Sequence, residues 1–390
     1  MAEPSSIAAR ERDLVAPGFE EVAELFGRLL AERRGSGAAM CVYVDGAPVV
    51  DLCAGATYRH DTLTFLFSVS KGIAAICVAL LVQEGRLDVD RPVAAYWPEF
   101  AAAGKERVTV GQLMSHRAGL PVLAADLPVA AWHDGRAAEL LAAQAPLWKP
   151  DTLHGYHAWT YGVLLNALMR RVDGRSVGRF LAEEIAGPLG IDAWIGLPAE
   201  LEARVAPLIV SDPPPQGPDN PVPVALQPLV DRMASGFHLH PDLPLEAYDD
   251  PELHRDELPA VNAFGSAHGL ARLYASCVSE VDGRRLLSDD TIELVRETRS
   301  AGYDVLSREE NRFGLGFQLP FARIPMAGEG SFGHDGFGGA LAFAHPASRL
   351  AFAFTTDQLP ARVGADAATQ PLIAATLRCL GRRAASVHET

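Results

Sequence analysis

Three short stretches of this chain place reactive side chains at spacings that could do chemistry. In Phe65-Leu66-Phe67-Ser68-Val69-Ser70-Lys71-Gly72 a serine and a lysine stand three residues apart. On a helix that is one turn, and the two side chains share a face. A serine at the opening turn feels the positive end of the helix dipole, which favours an alkoxide. A lysine desolvated enough to lose its proton is then a base in reach of that nucleophile. The bland alternative is a serine N-cap beside a solvated lysine, since Ser-x-x-Lys recurs by chance. Composition decides against it: of 34 basic residues only Lys71, Lys105 and Lys149 are lysine. Arginine, the default cation here, cannot serve as a base, whereas a buried lysine can.

The second stretch is Gly155-Tyr156-His157-Ala158-Trp159-Thr160-Tyr161-Gly162, preceded by Trp148-Lys149-Pro150-Asp151. A tyrosine in a loop bounded by glycine and proline can present its phenol to a cleft. Next to a lysine ammonium its pKa is expected to fall, which suits proton shuttling. Alone, such a tyrosine is more often a packed residue with a bonded hydroxyl. The third is Phe332-Gly333-His334-Asp335-Gly336-Phe337-Gly338-Gly339. Its glycines let the backbone come close to a ligand, and as the start of a strand it could aim a backbone N–H at an oxyanion. Alone it would read as a glycine-rich turn. No His-Glu-x-x-His is present and the twelve histidines do not cluster at ligand spacing, so no metal is expected. There is no Gly-x-Ser-x-Gly either, which excludes an α/β-hydrolase elbow.

The elements that must position these groups can be read in order. Gly18 to Arg33 is an amphipathic helix with Phe19, Val22, Ala23, Phe26, Leu29 and Leu30 on one side. Ala38 to Tyr43 and Pro48 to Leu52 flank Asp45-Gly46, a strong hairpin signal that pairs Cys41 with Val50. Ile73 to Val82 is apolar almost all round, so the helix behind Ser68 is buried, with Gly85 suited to a left-handed stop. Val108 to His116 enters a short helix, and Ala137 to Ala143 and Thr160 to Val172 are further helices. Proline crowds residues 211–259. Helices follow at Gly269 to Val278 and Ser288 to Glu297, then strands at Gly314 to Leu319, Gly339 to Ala344 and Leu350 to Thr355, and a helix over 363–380.

This pattern predicts an α/β (α+β) fold with an antiparallel sheet built from both chain ends, flanked by helices and carrying an inserted helical region. Residues 1–95 and 260–390 form the sheet unit, 96–210 the helical unit, and 211–259 a proline-rich loop bordering the reactive stretches. At 390 residues and 48% hydrophobic content the chain can bury a sizeable core. Its net charge of −15 argues against nucleic acid and anionic membrane as partners. Five scattered cysteines, with no Cys-x-x-Cys, fit reduced thiols in a cytoplasmic protein. No signal-peptide core opens the sequence, and its longest apolar run is half a membrane span.

Ser68-x-x-Lys71, Tyr156 in Gly-Tyr-His-Ala and His334-x-Gly336, in that order and spacing, resemble the serine β-lactamase and penicillin-binding-protein superfamily. The class C β-lactamase-like branch, which includes family VIII carboxylesterases, is the best likeness. Glu84 to Asp90, Val108 to Leu120 and Phe313 to Gly316 resemble it too. The resemblance implies a β-lactamase/transpeptidase-like fold, Ser68 as the acylated nucleophile, Lys71 as its base and Tyr156 as proton shuttle. It implies an oxyanion hole from the N–H groups of Ser68 and Phe337, substrate contacts at His334, Asp335 and Gly336, and no cofactor. Two departures matter: Ala158 stands where β-lactamases carry asparagine, and the third motif has lost its lysine while Asp335 adds a negative charge. Both weaken binding of carboxylate-bearing β-lactams. The expectation is a carboxylesterase acting on a small acyl ester or thioester, with an acyltransferase using the same acyl-enzyme as the alternative.

Overall fold

The computed structural model describes residues 12–388, apart from 32, 34, 57, 126, 129, 130, 211–244, 305 and 360–363. The proline-rich region therefore lies outside the described residues as far as 244. Strands β1 (Leu14–Val15), β2 (Ala38–Val44) and β3 (Ala47–Ala54) come from the start of the chain. A small sheet follows from β4 (Thr64–Phe65), β5 (Ala193–Ile195) and β6 (Ala263–Gly265), and a hairpin from β7 (Ser300–Asp304) and β8 (Glu309–Phe313). Near the end come β9 (Phe332–Asp335), β10 (Leu341–His345) and β11 (Leu350–Thr356). Six of these strands make one antiparallel sheet in the order β1-β3-β2-β11-β10-β9. Both chain ends thus meet at the β2–β11 pair, as the sequence predicts.

The β2–β3 hairpin turns at Asp45 and Gly46, both at positive φ, as a two-residue turn matching the strand twist requires. Its register departs from expectation. A bulge between the Val42 and Tyr43 pairs shifts the ladder, so Cys41 faces Asp51 rather than Val50. An extra residue in one strand re-aims every side chain beyond it, and nothing in the local sequence announced it.

Alternation along the strands gives the sheet two apolar faces. One packs Met40, Val42, Phe343, Phe352 and Phe354 against helix α1 (Glu20–Ala31) and the closing helix (Thr369–His388). The other carries Ala39, Cys41, Tyr43, Ala342 and Ala353 toward the main core. That core is built around α2 (Val69–Gln83), whose residues from Val69 to Leu81 are all buried. Gly85 (φ 69°) stops α2, with its N–H on the Val82 carbonyl and that of Arg86 on Leu81. Helices α3 (Val110–Met114), α4 (Arg136–Ala143) and α5 (Thr160–Val172) follow. Then α6 (Ala267–Val278) covers the core face of the sheet, and α7 (Asp289–Arg296) precedes the β7–β8 hairpin. Thr109 and Gln112 close a capping box on α3.

One predicted strand is displaced. β8 ends at Phe313, and residues 314–317 turn, leaving isolated bridges from Gln318 to Phe313 and to Gly333 on β9. Gly314 and Gly316 explain why: a side chain at Gly314 would strike the Val295 carbonyl, and Gly316 is left-handed (φ 79°). Among the described residues no helix is long and apolar enough to cross a membrane.

Candidate active site

Ser68 occupies the N-cap position of α2, yet its hydroxyl makes no capping hydrogen bond. The residue before it, Phe67, has φ 46°. An aromatic residue there is strained, by about 1–3 kcal/mol, and must be held by its surroundings. The Phe67 ring packs on Phe65, Tyr248 and Phe337 at 4.7, 5.5 and 5.3 Å between centroids. Its carbonyl accepts a hydrogen bond from the Ser70 hydroxyl, which in turn accepts the Ala263 N–H at 2.9 Å. Ser70 is fully buried in this clamp, whereas Ser68 is only half-buried. The sharp bend lifts the Ser68 hydroxyl out of its capping role and leaves it available.

Lys71 is wholly buried, and its ammonium position is defined on three sides. Nζ lies 3.1 Å from Ser68 Oγ, 2.8 Å from the Ala158 carbonyl and 2.9 Å from the Ala260 carbonyl. Burial pushes its pKa well below the ordinary lysine value, and the more distant Asp335 charge opposes this only in part. A neutral amine here can give its two hydrogens to the two carbonyls and turn its lone pair to the Ser68 hydroxyl. The Ala260 carbonyl reaches this point because Gly162 in α5 has no side chain; a Cβ there would collide with the Ala260 N–H.

Tyr156 precedes α5, and its hydroxyl hydrogen-bonds with Ser68. Lys71 Nζ stands 4.7 Å from the centre of its ring. The expected fall in its pKa is not observed: burial drives it well above the ordinary phenol value, and the hydrogen bond with Ser68 only partly offsets this. The resting group is a neutral phenol, because burial of the ring disfavours the phenolate.

Two histidines that the sequence reading passed over hold the tyrosine loop. His116 (φ 62°) accepts the Gly155 N–H through its carbonyl at 3.0 Å and the His157 N–H through Nδ1 at 3.1 Å. His157 accepts the Leu120 N–H on Nε2 at 3.0 Å and donates from Nδ1 to the Gly155 carbonyl at 2.6 Å. The His116 ring lies 4.9 Å from that of Tyr156. His157 stood within the quoted motif, but its bonding to Leu120 needs the fold.

The third motif ends β9 against the nucleophile bend. Any side chain at Gly336 would strike the Leu66 carbonyl, and one at Gly338 would lie 2.7 Å from the Phe67 ring. These glycines therefore admit the chain's own backbone rather than a ligand. Asp335 is buried, and its carboxylate is spent: Arg323 donates to Oδ2 at 2.6 Å and the Ala365 N–H at 3.0 Å. The repulsion of a substrate carboxylate expected from Asp335 is thereby cancelled, since sequence distance hid Arg323. His334 donates from Nδ1 to the Asp335 carbonyl at 2.7 Å, and its buried Nε2 has no partner among the described residues. The N–H groups of Ser68 and Phe337 donate to no protein acceptor among the described residues.

A family model described as Beta-lactamase matches residues 22–376. The chain belongs to the beta-lactamase family. Among its relatives in this family, the Esterase/beta-lactamase LipL of Mycobacterium tuberculosis (strain ATCC 25618 / H37Rv) is 32% identical over 361 residues, covering 88% of this chain and 82% of the relative. The solved structure of EstA from Arthrobacter nitroguajacolicus Rue61a has a TM-score of 0.85 at 34% identity, over 95% of this chain and 99% of that one. A family VIII carboxylesterase gives 0.85 at 33% identity, over 94% and 98%.

In this beta-lactamase-family site, burial keeps three histidines neutral. His116 is held well below the ordinary value, and His157 and His334 near about 4, desolvation being the main cause in each. Each takes up a proton on unfolding between its folded pKa and about 6.5. Their stabilisation is complete above pH 6.5 and is lost as pH falls through that window, at up to about 1.4 kcal/mol per pH unit for each histidine. His60 is raised to about 10, chiefly by its hydrogen bond to Asp51. Its contribution is complete below about 6.5 and fades only as pH rises toward 10, so it is silent in the acid window. The urea midpoint is expected to fall from pH 7 to pH 5, less steeply in His157→Gln; equal midpoints would mean these imidazoles already carry protons in the fold.

Proposed function

We propose that the protein is a serine carboxylesterase that forms an acyl-enzyme on Ser68 from small acyl esters. The observation that carries this reading is the buried Lys71 amine, hydrogen-bonded to two carbonyls and Ser68 Oγ, with no carboxylate in contact among the described residues. Lys71 takes the Ser68 proton as Oγ attacks the ester carbonyl. The N–H groups of Ser68 and Phe337 receive the oxyanion. Tyr156, a neutral phenol bonded to Ser68, hands a proton to the departing alkoxide and is reprotonated through Lys71. Water then attacks the acyl-enzyme by the reverse route, releasing the acid and restoring Ser68. Every step uses groups of the chain itself and water.

Esterase-named relatives over most of the chain support this reading. So does the third motif: a neutral His334 offers no cation to a substrate carboxylate, and Arg323 is engaged by Asp335 and Glu309. All five cysteines are free and buried, which fits the reducing cytoplasm that is part of this proposal.

A fluorophosphonate is expected to modify Ser68 alone, with an adduct on Ser70 or Ser115 sinking the assignment. Short-chain aryl esters should exceed a chromogenic cephalosporin in kcat/KM by ~10²-fold or more, since Ala158 and His334 supply neither a carboxamide nor a charged hydrogen-bond donor. A preference for the cephalosporin would reverse the reading.

A further inference from the structure

We propose that Cys41, Asp51 and His268 form a binding site for a borderline divalent cation of the zinc type, clamping α6 to the β2–β3 hairpin. The register shift in β2–β3 is what makes the site. With the bulge, Cys41 and Asp51 are direct cross-strand partners on the core-facing side of the sheet. His268, the second residue of α6, closes the group. His268 Nδ1 lies 2.7 Å from Asp51 Oδ2 and 4.0 Å from Cys41 Sγ. The donor atoms of all three lie within 4.8 Å of one another. Tetrahedral zinc, with bonds of about 2.0–2.3 Å, separates its ligands by about 3.5 Å. The observed distances bracket that value, and the donors sit on two strands and a helix rather than on loops.

The surrounding residues match what metal ligands need. His268 Nε2 meets the Tyr43 hydroxyl at 3.3 Å, a partner for the proton on the ring nitrogen remote from the ion. The other Asp51 oxygen bonds His60 Nδ1 at 3.2 Å, and His60 Nε2 bonds Asp13 at 2.9 Å. Cys41 is fully buried, whereas the His268 side chain is 39% exposed, which gives an ion a way in and a fourth position for water. In the bound state the ion takes the place of the Cys41 thiol proton, and His268 ligates through Nδ1 with Nε2–H turned to Tyr43. The proton that leaves is that of the Cys41 thiol, whose sulfur then binds the ion beside the Asp51 carboxylate. A second group, Asp13, Cys53 and His60, is less suited: both ring nitrogens of His60 are already engaged, by the Asp51 and Asp13 carboxylates. Sequence spacing could not reveal the set, because position 268 is remote from 41 and 51.

Cobalt(II) added to chelator-treated full-length protein tests the site. One equivalent is expected to bind with a thiolate-to-cobalt charge-transfer band and release of one proton. Cys41→Ser should abolish the band and His268→Gln should abolish stoichiometric uptake, while Cys53→Ser keeps both. Tyr43→Phe should weaken binding by about 10–100-fold. If Cys41→Ser fails to fold, judged by ester turnover, the partly exposed His268→Gln decides alone. No thiolate band in the wild type, a band that survives in Cys41→Ser, undiminished uptake in His268→Gln, or loss in Cys53→Ser would each overturn the proposal.

Discussion

Lys71→Arg is expected to slow acylation of Ser68 by about 10⁴-fold, the upper end for a general base, although it retains the positive charge. A base must spend time unprotonated, and arginine does not reach that state in a protein. The buried Nζ is an amine held below its ordinary pKa by desolvation. If Lys71 served only as a cation beside Ser68, arginine with its five donors should preserve much of the rate. The substitution therefore separates base from cation. Size is the confounder, because Nζ lies under 3 Å from both the Ala158 and the Ala260 carbonyl and a guanidinium is larger. Lys71→Met supplies the control: it keeps the length, lacks charge and base alike, and should be equally slow while melting cooperatively.

The pH profile gives a second reading of the same group. Wild-type acylation should decline on the acid side as the amine gains a proton, and that limb should be absent from whatever rate the Lys71 variants retain. A folded Lys71→Arg protein acylated by an activated ester within a few-fold of wild type would remove Lys71 from the role of base.

What could be read from sequence and what could not divide along physical lines. Ser68 and Lys71 are joined by one helical turn, so a spacing of three residues carried their geometry. The limits of α5, Thr160–Val172, were legible because a periodic apolar face meets clear ends. The Ala158 and Ala260 carbonyls that orient Lys71 were not, since a backbone oxygen has no residue type to betray it. Phe67 in the left-handed region was equally hidden: local preference argues against it, and only the aromatic contacts around it make it tenable. Asp335 shows the converse error. A charge judged in isolation looked repulsive, yet Arg323 neutralises it from a strand connection away. The prediction for the Tyr156 phenol failed for a related reason, because burial acts on the lysine and the phenol together.

Tyr156→Phe isolates the proton relay from packing. The ring is held by His116 at 4.9 Å, by stacking on Phe313 at 6.0 Å and by His334 at 6.1 Å between centroids. Its loop is fixed by backbone groups bonded to His116 and His157. None of these contacts uses the hydroxyl, so the variant should fold with an unchanged melting temperature. Turnover should drop by ~10²–10⁴-fold, the usual contribution of a general acid–base group. The leaving group sharpens the test. An alkoxide needs a proton as it departs, whereas a nitrophenolate does not, so alkyl esters should lose more than nitrophenyl esters. A uniform loss would place Tyr156 with the Ser68 proton rather than the leaving group. Tyr161 cannot substitute, since its hydroxyl is fully buried against the Met114 sulfur. Alkyl ester hydrolysis near the wild-type rate in folded Tyr156→Phe would leave Lys71 to carry the proton in both directions.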